Sequence, residues 1–281
     1  MSIVSKNGDT QFAALNGQKL AIRSFGKGSP VFFINRFRGT MDTWDPLFLE
    51  LVSKDHQVIL FDYPEIAESF EGTFPKDMKE ISSLIIELAD YLKIERFNVL
   101  GWSFGGLVAQ YITFYYPNRI LKSIVIGSNP PGENKVPFDP EFFKRALKPV
   151  NDLEDEIVLF FEPKSLKSRE AAFVSHKRIS ERLDVSRIPS TQEIFQKYLN
   201  ASAEVKDDKE NFREKYRTLT HPIMVIMGDH DISFAVENWY PLLQNAPTLL
   251  LIILPESGHG PHHQSPTLVA YYIRGFLAIV D

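Results

Sequence analysis

The pentapeptide Gly101-Trp102-Ser103-Phe104-Gly105 constrains this chain more than any other stretch. It follows the apolar run Phe97-Asn98-Val99-Leu100 and precedes Leu107 to Tyr116, which has no helix breaker until Pro117-Asn118. A serine between two near-neighbour glycines, after a strand and before a helix, marks a turn so sharp that the serine backbone is strained. A side chain at either glycine position would collide with the adjoining strand or helix. The same geometry pushes the serine Oγ outward, within reach of other groups. By itself the pattern is weak, since glycine and serine near 7% of residues produce it by chance in roughly one chain in ten of this size. Its flanks make it informative.

Upstream, Ile81, Leu84, Ile85, Leu88 and Tyr91 recur at helical spacing and end at Lys93, just before the strand. Downstream, the apolar run Ile120 to Ile126 reads as another strand. Helix, strand, turn, helix, strand is a parallel α/β unit with the serine at the carboxyl end of its strand, where such sheets gather their ligand sites. At 281 residues and 44% hydrophobic, the chain can bury one substantial core with an inserted segment. A net charge of −5 and the lack of any Lys/Arg block argue against a nucleic-acid partner. The absence of cysteine excludes a disulfide scaffold, a thiol nucleophile and a Cys-ligated metal. Met1 to Thr10 is polar with no apolar leader region, and no uncharged apolar run is long enough to span a bilayer. The expectation is a cytoplasmic chain without a membrane span, acting on a small molecule. Oligomeric state is not legible.

Gln18 to Phe25 and Pro30 to Ile34 read as strands joined by a hairpin-type turn at Gly26-Lys27-Gly28-Ser29, and Val58 to Phe61 as a third. Ile223 to Met227 and Leu249 to Leu254 are continuous apolar runs, as buried parallel strands should be. Ser265-Pro266 opens a last helix with Leu268, Tyr272, Phe276 and Ile279 on one face. Between Glu133 and Met227 there is no glycine, where about six or seven are usual in a stretch of that length. Strand–turn architecture needs glycine, so residues 129–216 are expected to form an inserted helical cap over the serine. Residues 1–128 and 217–281 then form the core.

A serine hydroxyl needs a neighbouring base, itself held by a third group, to act as a nucleophile. His259, in Glu256-Ser257-Gly258-His259-Gly260, follows the strand Leu249 to Leu254 and is the first choice over His262 and His263 of the same loop. His56, His176 and His221 sit before or between elements and read as structural or surface residues; His230 is a neighbour of the acid. For that acid, Gly228-Asp229-His230-Asp231 follows the strand Ile223 to Met227. Asp231 lies far enough past the strand to curl back over the sheet, while Asp229 suits an Asx turn. The strand after the serine's helix ends in Gly127-Ser128-Asn129, with no carboxylate before Glu133, so an acid there is not expected.

The order Ser103, Asp231, His259, each after a different parallel strand, resembles the α/β-hydrolase superfamily. The resemblance covers nearly the whole chain. It implies an α/β-hydrolase fold, a mostly parallel central sheet flanked by helices with an inserted cap. It also implies a catalytic triad of these three residues and an oxyanion hole formed by the N–H groups of Phe104 and Phe37, with no cofactor or metal. Two departures stand out. The family usually carries His-Gly where this chain has Asn35-Arg36, and the loop after Asp62 has Glu65 and Ala67 where glycines are usual. Both loops are therefore expected to be reshaped.

The resemblance implies a serine hydrolase cleaving a small or medium carboxylic ester, lactone or related acyl substrate through an acyl-enzyme on Ser103. The same triad in the family also serves carbon–carbon bond hydrolysis and cofactor-free haloperoxidase or perhydrolase chemistry, and some members are ligand-binding receptors. A serine at 103 excludes the branches that need an aspartate nucleophile. Phe142, Phe143, Leu147, Leu159, Phe160 and Phe161 are candidates for an apolar acyl pocket. Arg36 and Arg38, flanking Phe37, are candidates for contact with a substrate anion or with Glu65.

Overall fold

The computed structural model describes residues 8–279. Most of the polar stretch Met1 to Thr10 thus lies outside the described residues, as does the end of the last core segment. The strands are β1 (Gln11–Leu15), β2 (Gln18–Phe25), β3 (Ser29–Ile34), β4 (His56–Phe61), β5 (Phe97–Trp102), β6 (Ile120–Ile126), β7 (Ile223–Gly228) and β8 (Leu249–Leu254). They form one eight-stranded sheet in the order β1-β2-β4-β3-β5-β6-β7-β8, parallel from β4 through β8. Alternate residues of the apolar runs face opposite ways. Phe32 and Ile34 of β3 enter one core, and Val31 and Phe33 enter the other. Helices cover both faces, so these central strands carry no polar side. The first core packs under α2 (Met78–Tyr91) and α3 (Phe104–Tyr115), and the second under α1 (Pro46–Val52) and α10 (Pro266–Ala278), which follows the short α9 (Pro261–Gln264).

Three expectations about these elements need correction. The turn at Gly26 to Ser29 does not close a hairpin, because β4 lies between β2 and β3, and β2 pairs antiparallel with β1 and β4. Gly26 and Gly28 hold positive φ, and a Cβ on either would sit 2.3 and 2.2 Å from the carbonyl oxygens of His56 and Asp55. Their purpose is close passage over the start of β4, which imitates a hairpin signal in sequence. The hairpin turn is at Asn16-Gly17, between β1 and β2. Second, β8 ends the sheet, and Leu250 and Ile253 are exposed instead of buried. Third, α10 buries Val269, Ala270, Ile273 and Phe276, while Leu268 and Ile279 face solvent. The helix is apolar on most sides, so spacing alone does not select the stripe.

Between β6 and β7 lie α4 (Pro140–Ala146), α5 (Leu153–Phe160), α6 (Leu166–Ser180), α7 (Gln192–Ala201) and α8 (Phe212–Lys215). Their starts are fixed locally. Asp139, Asp152, Ser165 and Thr191 each accept an N–H of the first turn through a side-chain oxygen, and Pro140 occupies the first turn of α4. Core loops then tie the segment down. Asp45, fully buried, accepts from Arg178 Nε (2.9 Å) and Ser175 Oγ (2.7 Å) of α6. Glu65 pairs with Lys197 of α7. Among the described residues no helix is long and apolar enough to cross a membrane.

Candidate active site

The carboxyl ends of β5, β7 and β8 deliver the three candidate residues to one place. Ser103 has φ 59° and ψ −118°, outside the regions that L-residues favour. Packing enforces it. A Cβ on Gly101 would stand 1.9 Å from Gly105 O, and one on Gly105 would stand 2.0 Å from Ile34 O, the last residue of β3. The Ser103 N–H donates to Ile126 O (2.8 Å), which anchors the turn to β6. Ser103 itself is the N-cap of α3, with the open N–H groups of the first helical turn beside it.

After β7, Asp229 does not form the Asx turn expected of it: its Oδ1 accepts the Ser257 N–H (3.2 Å) from the loop after β8 and meets His230 Nδ1 (2.6 Å), and the bond to an N–H two residues on belongs to Asp231. Asp231 curls over the sheet. Its Oδ2 lies 2.8 Å from His259 Nδ1, and its Oδ1 accepts the N–H groups of Ser233 (2.7 Å) and Phe234 (3.0 Å). Three donors thus hold the carboxylate, and Nδ1 carries the imidazole proton, which leaves Nε2 as an acceptor. Asp231 and His259 are both buried.

His259 is fixed from several sides that sequence reasoning did not anticipate. The Trp102 indole N–H donates to its carbonyl (2.8 Å). Gly127, at positive φ, lets the histidine approach, since a Cβ there would be 2.7 Å from His259 O and 3.0 Å from its Nδ1. The next residue donates to the insertion, with Gly260 N–H to Phe160 O at 2.7 Å. The Gly127-Ser128-Asn129 sequence was legible as a strand end without a carboxylate; its service to the histidine was not. His262 and His263 are buried against Trp102. Burial pushes the pKa of both downward, for His263 to about 3, and both ring nitrogens of His262 and the Nε2 of His263 are buried without a hydrogen-bond partner among the described residues. His176 pairs with Glu156, and His221 meets Pro117 O. His56 is buried at the start of β4, on the structural side of the expectation for it.

Where His-Gly is usual, Asn35 knits the loop after β3. Its Nδ2 donates to Phe61 O (2.8 Å), and its Oδ1 accepts the Trp44 indole N–H (2.8 Å). Phe37 and Phe104 are brought together by the contact of Gly105 with Ile34 and by a shared neighbour, Tyr198 of α7, whose ring lies 5.2 and 5.0 Å from theirs. The second loop keeps the backbone that glycine would give: Glu65 and Ala67 sit at φ 67° and 48°. The expected reshaping is absent there, and strain is accepted instead. Glu65 bonds Lys197, and neither Arg36 nor Arg38 reaches it.

A cavity of about 480 Å³ opens beside Ser103. Phe37, Phe104, Phe138, Phe142, Leu147 and Tyr198 form much of its wall. Phe143 also lines it, whereas Leu159 and Phe160 line a small adjoining pocket with Ser103 and His259, and Phe161 packs inside the insertion. Phe138 and Tyr198 were not singled out from sequence; Asp139-Pro140 marks a helix start but says nothing of what precedes it. No group of three or more His, Asp or Glu side chains is placed to hold a metal among the described residues.

This sheet, with a strained serine turn at the end of β5, defines an α/β-hydrolase-type protein, and residues 29–266 match the model of the alpha/beta hydrolase fold family. The chain belongs to that family. It is 28% identical to the solved alpha/beta hydrolase fold protein from Chitinophaga pinensis, with a TM-score of 0.85 over 98% of this chain and 99% of that one. It is 26% identical to a pimeloyl-[acyl-carrier protein] methyl ester esterase of Vibrio parahaemolyticus, over 85% of this chain and 90% of the relative. It is 23% identical to the dihydrolipoyllysine-residue acetyltransferase component of an acetoin cleaving system from Pseudomonas putida, over 89% of this chain. The chain spans only 64% of that relative's length.

Proposed function

We propose that the protein is a serine hydrolase cleaving a carboxylic ester, lactone or related acyl substrate. The observation that carries this reading is the buried His259 Nδ1–Asp231 Oδ2 contact of 2.8 Å, made by a histidine that lines a small pocket together with Ser103. In this reading Ser103 Oγ attacks the carbonyl as His259 Nε2 takes its proton. Asp231 fixes the tautomer and stabilises the imidazolium that forms. His259 then returns the proton to the leaving alkoxide, and water, activated by the same histidine, releases the acid. The N–H groups of Phe104 and Phe37 receive the negative oxygen of the tetrahedral intermediate. Such donors typically contribute about 3–4 kcal/mol each to transition-state stabilisation. Residues 129–216 serve as the cap that walls the apolar cavity, and residues 1–128 and 217–281 as the core. The esterase name of one relative supports the ester class and does not specify this chain's substrate.

The test is labelling with a fluorophosphonate and turnover of a graded series of neutral alkyl esters. Wild type should be labelled and Ser103→Ala should not. If wild type resists the probe and hydrolyses no ester, while Ser103→Ala still binds hydrophobic ligands in the cavity, the chain is a binder and the reading fails.

A further inference from the structure

Arg36 and Arg38 stand two residues apart and differ in one respect that matters. The Arg38 guanidinium is saturated by hydrogen bonds to carbonyl groups of the insertion. Arg36 is not. Its one hydrogen bond among the described residues runs from Nη1 to Phe37 O (2.7 Å), and its Nε is buried without a partner. Its Cζ lies 4.7 Å from the Phe160 ring centre and 5.2 Å from that of Trp102, so two aromatic faces hold the plane in place. Among the described residues no carboxylate pairs with it; Glu156, whose charge it feels, is engaged with His176. Burial and the neighbouring Arg38 lower its pKa to about 10, which still leaves it cationic at neutral pH.

This unpaired cation faces the small pocket of about 30 Å³ whose wall also includes Ser103, His259, Phe37 and Phe160. The pocket is far smaller than the cavity of about 480 Å³, so it takes a compact polar group and not an alkyl chain. A planar guanidinium with free donors suits two oxygens side by side. On the other side of Ser103 lies the large apolar cavity.

We propose that the small pocket is a carboxylate subsite. Arg36 receives the acid group of a half-ester type of substrate, in which the carboxylate stands one or two carbons from the carbonyl held at Ser103. The apolar chain of the same molecule lies in the large cavity. The inference rests on the serine-hydrolase reading only in seating a carbonyl at Ser103.

Binding to Ser103→Ala protein, free of turnover, tests it by calorimetry with monohexyl succinate and its uncharged isostere hexyl succinamate. The half-ester should bind at least about tenfold more tightly, the scale of a hydrogen bond to a charged group. Adding Arg36→Met or Arg36→Gln should remove most of that preference, and a thermal melt identifies which double variant is folded. Equal affinity for the two ligands in Ser103→Ala protein, or a preference that survives in a folded Arg36 variant, would overturn the subsite. Fluorophosphonate labelling of wild-type Ser103 reports on the hydrolase reading alone, so either idea can fail without the other.

Discussion

Truncating Arg38 should loosen the helical insertion from the sheet. Arg38 is buried, and its five hydrogen bonds reach the carbonyls of Ala146, Lys148, Pro149 and Pro189 and the Asn151 side chain, all at 2.7–3.1 Å. Its guanidinium also covers the Phe195 ring at 4.7 Å. In Arg38→Met, Lys148 and Pro149 are exposed and their carbonyls regain water, while Ala146 and Pro189 are buried and theirs do not. Two stranded carbonyls cost about 1–3 kcal/mol each. Removing a buried cation that had no counter-charge returns part of that, so a net loss of about 3 kcal/mol is expected. Arg38→Lys should lose nearly as much, since one ammonium cannot span the same fork. All three tryptophans, Trp44, Trp102 and Trp239, lie in the sheet cores and none in the insertion. Tryptophan fluorescence during urea unfolding therefore follows the core, and proteolytic nicking between residues 139 and 190 follows the insertion. Nicking should begin at urea concentrations where fluorescence is still native. A stability change below about 1 kcal/mol with wild-type resistance to nicking would refute the reasoning.

If Ser103, His259 and Asp231 act as a unit, Ser103→Ala and His259→Ala should each lower kcat on the order of 10⁴-fold or more, without additivity in the double variant. Full activity in His259→Ala would sink that assignment. Gly127→Ala should lower kcat with little change in KM, because its Cβ would press on the histidine within 3.0 Å and the backbone there prefers glycine; unchanged kinetics would mean that the loop yields freely. Phe142→Ala and Leu147→Ala should shift preference toward longer esters by enlarging the cavity, read as kcat/KM across chain lengths, and a uniform loss at every length would argue for packing alone. Burial raises the Asp62 pKa from 3.8 to about 7, so the folded state keeps a proton that the unfolded chain releases, and stability falls as pH rises through that window. Asp62→Asn should therefore gain relative to wild type between pH 4 and 8, by up to about 4 kcal/mol in urea titrations. A pH-independent difference would show that the carboxyl ionises as in water.

The parts of the site that were legible in sequence are those whose signal is local. A glycine-bracketed serine, Gly228-x-x-Asp231 and Gly258-His259 each follow an apolar run, and a parallel sheet brings strand ends together without further instruction. The glycine-free stretch likewise announced helices. What failed depends on partners distant in the chain. Two glycines between β2 and β3 cannot say whether the chain turns back or passes over β4. Arg36 and Arg38 look alike in sequence, and their difference is set by carbonyls more than a hundred residues away. Asn35 in place of histidine reads in sequence only as a sign of a reshaped loop, and its contacts with Phe61 and Trp44 supply the brace.

The strained turn at Ser103 bears on how the sequence would drift. Gly101 and Gly105 are demanded by the fold, because any side chain there meets backbone within 2.0 Å. Ser103 is not demanded. At φ 59° and ψ −118° an L-residue carries a strain of about 1–3 kcal/mol that glycine would relieve. Selection for folding alone would thus move position 103 toward glycine and leave its two neighbours untouched. A serine there sits against the preference of its own backbone, so folding alone does not account for it.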